Sequence, residues 1–246
     1  MYKEHYCFSI DGSDNQTIWR YMDFTKLISM LDSKCLYFCR ADHLEDKYEG
    51  SLPPKYVEDL KSLFATADVS DGDAAAKKLV NFAKVFKGFV YINSWHVNEH
   101  ESAAMWKLYL KSNEGLAIRS TVARLKQGFR ESPADVFIGN VEYVDYSKAT
   151  IPDTVNAFRP FLYKRKSFEY EQELRAIVTQ EPKKVEDKET AAEGLYIPVD
   201  LDTLVEQIAV CPTAPRWFPD LVRKTMQRFN INKPVTQSNL YGSPLY

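Results

Sequence analysis

The sequence predicts an α+β fold with a mixed, largely antiparallel sheet and flanking helices. Short apolar runs of strand composition alternate irregularly with amphipathic helical segments along the 246 residues. Several connections between strands are too short for the helical crossover of a regular parallel sheet. With 45% hydrophobic and 27% charged residues, the chain can bury a core, and we expect a single domain over residues 1–246.

Strands and helices alternate in the first half of the chain. Residues 17–21 and 35–40 have strand composition, and residues 24–31 between them carry apolar side chains at helical spacing. Helices are expected at 56–64 and 74–86, separated by a Ser-Asp-Gly-Asp turn. Together they would form a helical insertion at about 53–87. Strands are next expected at 89–95 and 115–120, and helices at 103–110 and 121–129.

The second half contains mostly strands. Residues 136–146 read as one strand with a Gly-Asn turn or bulge inside it. The charged segment at 181–193 is typical of a mobile surface loop. Further strands are expected at 195–199 and 207–211, a helix at 219–229 and an extended end at 234–238.

Two glutamates, Glu171 and Glu173, lead directly into an apolar run of strand composition. Side chains alternate across a strand, so we expect both carboxylates on one face. Two like charges side by side are unfavourable unless cations, a ligand or a shared proton compensate them. The pair is therefore a candidate site, and a solvated strand edge flanked by Lys166 and Arg175 is the equally weighted alternative.

The segment HVNEH, from His96 to His100, matches the H-x-x-E-H pattern of inverted zinc peptidases. That chemistry requires both imidazoles on one face of a helix. Here the pattern lies between a strand and a polar loop that ends at a helix cap, Ser102. We therefore favour no metal site, and a zinc-dependent hydrolase is kept as an alternative function.

Aromatic and cationic side chains suggest a ligand pocket. Trp95, His96, Trp106 and Tyr109 surround a polar loop, and aromatic walls suit a planar ligand, although core packing is an equal alternative. Three arginines at or near strand ends can clamp phosphate or carboxylate, or form plain ion pairs. These arginines are Arg20, Arg40 and Arg119.

A local basic patch accompanies a formal net charge of only −2. The chain therefore lacks a global basic field, and nucleic acid would have to bind a patch. That patch comprises Arg159, Lys164, Arg165 and Lys166. A non-catalytic nucleotide- or nucleic-acid-binding module, with Lys164, Arg165, Lys166 and Arg175 on phosphates, is the first alternative function, ahead of the zinc-dependent hydrolase.

Several common classes of protein are disfavoured. No apolar run is long enough to span a bilayer and the start lacks a signal peptide, so we expect a cytoplasmic protein without a membrane partner. The four cysteines form no CxxC pair and a reducing cytosol disfavours disulfides, so we expect Cys35 and Cys39 to be small buried side chains rather than metal ligands. There is no Walker loop, Rossmann fingerprint or G-x-S-x-G elbow.

The order of several short motifs resembles the bacterial domain-of-unknown-function family 2971 (DUF2971). The likeness covers residues 19 to about 204 and is carried by WRYMDF, LYFCRADHLEDKYEGS, SWHVNEHESAAMWKLY, GLAIRST and KRKSFEYEQELRAIV. It implies a soluble bacterial protein and no settled activity.

The chain also resembles ADP-ribosyltransferases, which place an Arg or His on one strand, an aromatic or hydroxyl residue on a second, and a catalytic Glu on a later one. Arg20 matches the first element, Tyr37 or the Ser94 region the second, and Glu171 with Glu173 the third. The Ser-Thr-Ser triplet of those enzymes is absent.

This resemblance implies an NAD-dependent transferase that acts on a nucleic-acid or protein acceptor. Such an enzyme would serve as a bacterial toxin or a phage-defence effector. Glu173 would contact the nicotinamide ribose, Arg20 the diphosphate, and Glu171 the acceptor. The expected catalytic residues are Glu173 and Glu171. The expected nucleotide-binding residues are Arg20, Tyr37, Arg40, Trp95, His96, Trp106, Tyr109, Arg119, Lys166 and Arg175.

Overall fold

The computed structural model describes residues 1–66, 71–151, 156–180 and 192–244. It confirms the α+β class, with a mixed and mostly antiparallel sheet flanked by helices. The strands are β1 (Thr17–Asp23), β2 (Cys35–Arg40), β3 (Val90–Val97), β4 (Gly115–Thr121), β5 (Phe137–Asn140), β6 (Glu142–Val144), β7 (Tyr163–Arg165), β8 (Glu173–Thr179), β9 (Gly194–Pro198), β10 (Gln207–Val210) and β11 (Val235–Gln237). The helices are α1 (Phe24–Ser33), α2 (Pro54–Thr66), α3 (Gly72–Phe86), α4 (Ala103–Tyr109), α5 (Val122–Gly128), α6 (Leu201–Leu204) and α7 (Phe218–Arg228).

Most elements agree with the sequence patterns. The helices expected at 56–64 and 74–86 form α2 and α3, which pack on each other. The single strand expected at 136–146 is wrong, because the chain divides there into β5, which joins the large sheet, and β6, which pairs with β7. Most of the loop expected at 181–193 lies outside the described residues. Within the described ranges, no helix has the length and apolar character that a membrane span requires.

Strand β3 is the centre of the large sheet and pairs with three strands. Strand β8 follows one edge of β3 along nearly its whole length, so β1 and β2 must share the other edge. β1 pairs with β3 only at residues 96 and 97, and β2 pairs only at residues 91 and 92. Residues 93–95 of β3 therefore face a gap between two diverging strands, which we call the β3 fork.

Side chains replace the missing ladder hydrogen bonds at the β3 fork. Asn93 Nδ2 donates to the Tyr37 carbonyl oxygen at 2.8 Å, and Trp95 Nε1 donates to Asn93 Oδ1 at 2.8 Å. Arg20 Nη1 donates to the Ser94 carbonyl oxygen at 2.5 Å. Buried backbone carbonyls require such partners, so the fork accounts for an arginine and an asparagine inside an apolar sheet.

The main hydrophobic core packs against the large sheet. Apolar side chains of α1, α4, α5 and α7 pack there with those of β1, β3 and β4. The Trp106 ring on α4 meets the Tyr21 ring edge-on, with the ring centroids 5.0 Å apart. A smaller cluster joins Val90, Ile92 and Ile177 to Phe161 on the side where Glu173 and Arg175 are found.

Two constraints favour glycine at position 50, a positive φ and a close neighbouring side chain. Its φ is +71°, and a Cβ atom there would lie 2.4 Å from Cε1 of Phe161. We expect Gly50→Ala to lower the free energy of unfolding by about 2–4 kcal/mol, because backbone strain and overpacking act together. Urea denaturation measures this value.

Gly12 offers a matched control for that prediction. Its φ is also positive, at +104°, but a Cβ atom would meet nothing closer than 3.6 Å, at Gln16. Gly12→Ala should therefore lower the free energy of unfolding only through backbone strain, by about 1–2 kcal/mol. Equal losses in the two variants would show that contact with Phe161 contributes nothing.

Candidate functional site

Glu171 and Glu173 do not lie on the same strand. Residues Lys166–Glu171 form a 3₁₀ turn, Gln172 has a left-handed backbone with φ of 40°, and β8 begins only at Glu173. The expectation that alternation along one strand aligns the two carboxylates is therefore wrong. They are brought together by Lys164 on β7, whose Nζ lies 2.5 Å from Glu171 Oε2 and 3.3 Å from Glu173 Oε2.

These residues belong to a buried ionic cluster that comprises Glu49, Lys164, Glu171, Glu173 and Arg175. The Arg175 guanidinium binds the Glu173 carboxylate through two hydrogen bonds of 2.8 Å, from Nε to Oε1 and from Nη2 to Oε2. Arg175 also donates to Glu49 and to the Phe161 carbonyl oxygen. The guanidinium is only 1% exposed, so its charge depends entirely on these partners.

The cluster divides the two glutamates into different electrostatic environments. Burial by itself raises the pKa of Glu173, but Arg175 and Lys164 together lower it to about 2. Burial raises the pKa of Glu171 above its ordinary value, and Lys164 only partly opposes this. Glu173 is therefore ionised throughout the physiological range, whereas Glu171 is the more basic carboxylate.

Arg20, Ser94 and Glu173 form a line across β1, β3 and β8. Arg20 Nη1 donates to the Ser94 carbonyl oxygen, and Ser94 stands opposite Arg175, two residues along β8 from Glu173. Burial lowers the pKa of Arg20 to about 10, so the guanidinium remains charged at neutral pH. Tyr37 and the Ser94 region were the two candidates for the aromatic or hydroxyl residue on the second strand. Ser94 lies in this line, whereas Tyr37 is 41% exposed and its ring contacts Tyr196.

An exposed aromatic rim borders the ionic cluster. Tyr109 and Tyr170 are 46% and 48% exposed, and the Tyr109 hydroxyl lies 3.4 Å from Glu171 Oε2. Lys164 Nζ lies 5.1 Å from the centre of the Phe168 ring. Tyr109 was expected from the sequence, but Tyr170 was not, although its place in the motif FEYEQE beside Glu171 was a usable signal.

Other predicted site residues lie elsewhere. Trp95 and Trp106 are buried in the main core, so the expectation that they line a pocket is wrong. His96 is also buried and its Nδ1 contacts the Glu171 carbonyl oxygen at 2.6 Å, which attaches the 3₁₀ turn to β3. The remaining arginines form ion pairs away from the cluster, Arg40 with Asp42 and Arg119 with Glu206.

The structure also bears on the two alternative hypotheses, a zinc site in HVNEH and a phosphate-binding basic patch. His96 ends a strand and His100 lies in the exposed loop after it, so HVNEH does not form the helical face that the zinc pattern requires. In the described ranges, no group of three His, Cys, Asp or Glu side chains could hold a metal ion. Of the four cations expected to contact phosphates, Lys164 and Arg175 are buried in ion pairs, Arg165 is 39% exposed but binds Asp46, and Lys166 is exposed.

The line from Arg20 to Glu173, the ionic cluster and the aromatic rim together form the candidate site. No protein-family model and no curated protein matches the chain.

Proposed function

We propose that this chain is an ADP-ribosyltransferase-like enzyme that uses NAD as its co-substrate. The observation that carries the proposal is the placement of Arg20, Ser94 and Glu173 on three adjacent strands, with Arg20 bound to the Ser94 carbonyl oxygen. It supplies a cation, a hydroxyl and an ionised carboxylate in the order that the resemblance implies. The reaction breaks the bond between ribose and nicotinamide, which leaves with the bonding electron pair, and forms a bond from the ribose carbon to an acceptor.

Glu173 has the electrostatic character that this reaction needs. Positive charge develops on the ribose as nicotinamide leaves, and a fixed carboxylate stabilises it. The pKa of about 2 keeps Glu173 negative at every physiological pH, and Arg175 holds its orientation through both carboxylate oxygens. Preorganised charge of this kind costs little rearrangement during the reaction.

Arg20 and the neighbouring polar groups divide the remaining tasks. The Arg20 guanidinium has no carboxylate within salt-bridge distance among the described residues, so it can bind an anionic diphosphate. Glu171, whose pKa is raised by burial, is suited to accept the proton that the acceptor loses. Tyr109 and Tyr170 offer exposed rings on which a planar nicotinamide can stack.

Nicotinamide release from NAD tests the proposal. We expect Glu173→Gln to lower the rate at least tenfold, because the neutral amide no longer stabilises positive charge on the ribose. The matched control is Glu169→Gln, an exposed glutamate of the same 3₁₀ turn, which should keep the wild-type rate. Circular dichroism establishes that both variants are folded.

A surface variant keeps the test valid if Glu173→Gln does not fold. Tyr109→Ala removes an exposed ring without breaking an ion pair and should raise the NAD concentration needed for half-maximal rate several-fold. Wild-type protein that releases no nicotinamide with any protein or nucleic-acid acceptor would contradict the proposal. So would full activity in folded Glu173→Gln.

A further inference from the structure

A polar groove opens beside the start of β1, and none of Arg20, Tyr109 and Lys164 lines it. Its volume of about 960 Å³ is large enough for a small-molecule ligand. The walls come from residues 11–17, from the turn at 97–100 that follows β3, from Arg119, from residues 140–143, and from residues 169–173, which include Glu173 at the start of β8.

The loop that forms one wall is held by backbone contacts to two neighbouring elements. The Asp11 amide donates to Asn140 Oδ1 at 3.0 Å, and the Ala123 amide donates to the Asp14 carbonyl oxygen at 2.7 Å. The Val122 amide donates to the Gln16 carbonyl oxygen at 3.1 Å. The groove is therefore formed before any ligand arrives, which reduces the entropic cost of binding.

Gln16 brings an unsatisfied acceptor to this groove. Its Oε1 atom is buried and has no hydrogen-bond partner within the described part of the chain. A buried acceptor without a donor is unfavourable, and a ligand hydroxyl is a suitable donor. Because Gln16 lines the groove, rotation of its side chain turns this acceptor toward a ligand that supplies O–H groups.

Arg119 brings unused donors to the same groove. Its Nη1 lies 3.6 Å from Glu206 Oε1, which is beyond hydrogen-bonding distance, and the side chain is about one-third exposed. A guanidinium presents several N–H donors in a fixed plane and can donate to two adjacent hydroxyl oxygens. The same lining includes the exposed carboxylates of Asp11, Glu99 and Glu169, so an anionic polymer would be repelled.

We propose that this groove binds a neutral, hydroxyl-rich molecule, either a free saccharide or the ribose of a nucleoside. Gln16 Oε1 accepts from one hydroxyl, and Arg119 donates to an adjacent pair. The rim carboxylates accept from the remaining hydroxyls. The groove shares Glu173 with the candidate site, but the inference concerns binding alone and does not depend on transferase activity.

Binding of four probes to the intact chain tests the proposal: maltotriose, N-acetylglucosamine, ribose and adenosine. We expect saturable binding of at least one in the range of about 1–10 mM by titration with NMR detection. Gln16→Leu and Arg119→Leu should each weaken that binding about tenfold. Gln127→Leu, at an exposed amide on α5, should leave it unchanged.

The choice among the probes identifies the source of the hydroxyls. Binding of adenosine without binding of maltotriose or N-acetylglucosamine assigns a nucleoside. Binding of either of these two saccharides without binding of adenosine assigns a saccharide. If either leucine variant fails to fold, probe-induced shifts of the Gln16 and Asn98 side-chain amides in the wild-type protein provide the same test. The proposal is overturned if no probe binds at about 50 mM, if both folded variants bind like wild type, or if the shifts occur around Tyr109 instead.

Discussion

Arg175→Met is expected to lower the free energy of unfolding by about 3–5 kcal/mol, because it removes one partner from a buried ion pair. Methionine keeps much of the length and volume of the side chain, so lost packing contributes little. Glu173 and Glu49 would remain buried with Lys164 as the single cation between them. Urea denaturation at neutral pH measures the loss.

Arg223→Met is the matched control. Arg223 pairs with Asp220, but both side chains are about half exposed or more, so this substitution should cost less than about 1 kcal/mol. A triple variant that also replaces Glu173 and Glu49 by methionine should recover much of the stability, because the uncompensated charges leave together with the guanidinium. A loss below 1 kcal/mol in Arg175→Met would contradict the structure of the ionic cluster.

Acid should destabilise the protein through Glu173 between about pH 4.5 and pH 2. The pKa of Glu173 is lowered from 4.5 to about 2 in the folded protein. Its contribution is therefore fully present above pH 4.5 and is lost as the pH falls through the folded pKa. The size of this contribution is on the order of 3 kcal/mol.

Glu171 changes stability in the opposite direction. Its pKa is raised in the folded state, so protonation of Glu171 favours folding as the pH falls. We therefore expect the steepest loss at the acid end of the range, where Glu173 alone titrates. Urea unfolding between pH 7 and pH 2.5 should give a flatter profile for Glu173→Gln than for wild type. Parallel profiles would refute the assignment.

The elements of this fold were predictable because apolar periodicity is a local property of the sequence. The fork was not, since nothing local indicates that β1 and β2 share one edge of β3. The turn before β8 was missed because Gln172 adopts a positive φ that its residue type does not favour. Trp95 and Trp106 were ambiguous because aromatic residues suit both a core and a ligand pocket.

The candidate site was predictable only in part. Glu171, Glu173 and Arg20 were identified from motif order and residue chemistry. Their actual partners were not, because Glu49 meets Arg175 across 126 positions of sequence. Lys164 was assigned to an exposed basic patch, since a sequence shows charge but not burial.

The central position of β3 has a consequence for the order of folding. Its partner β2 is nearer to it along the chain than β8, which carries Glu173 and Arg175, whereas β1 is about as distant as β8. Contacts that close long loops form slowly, so we expect β8 to join a sheet that is already partly assembled. The ionic cluster would then form after the rate-limiting step. Its loss in Arg175→Met should accelerate unfolding far more than it slows folding.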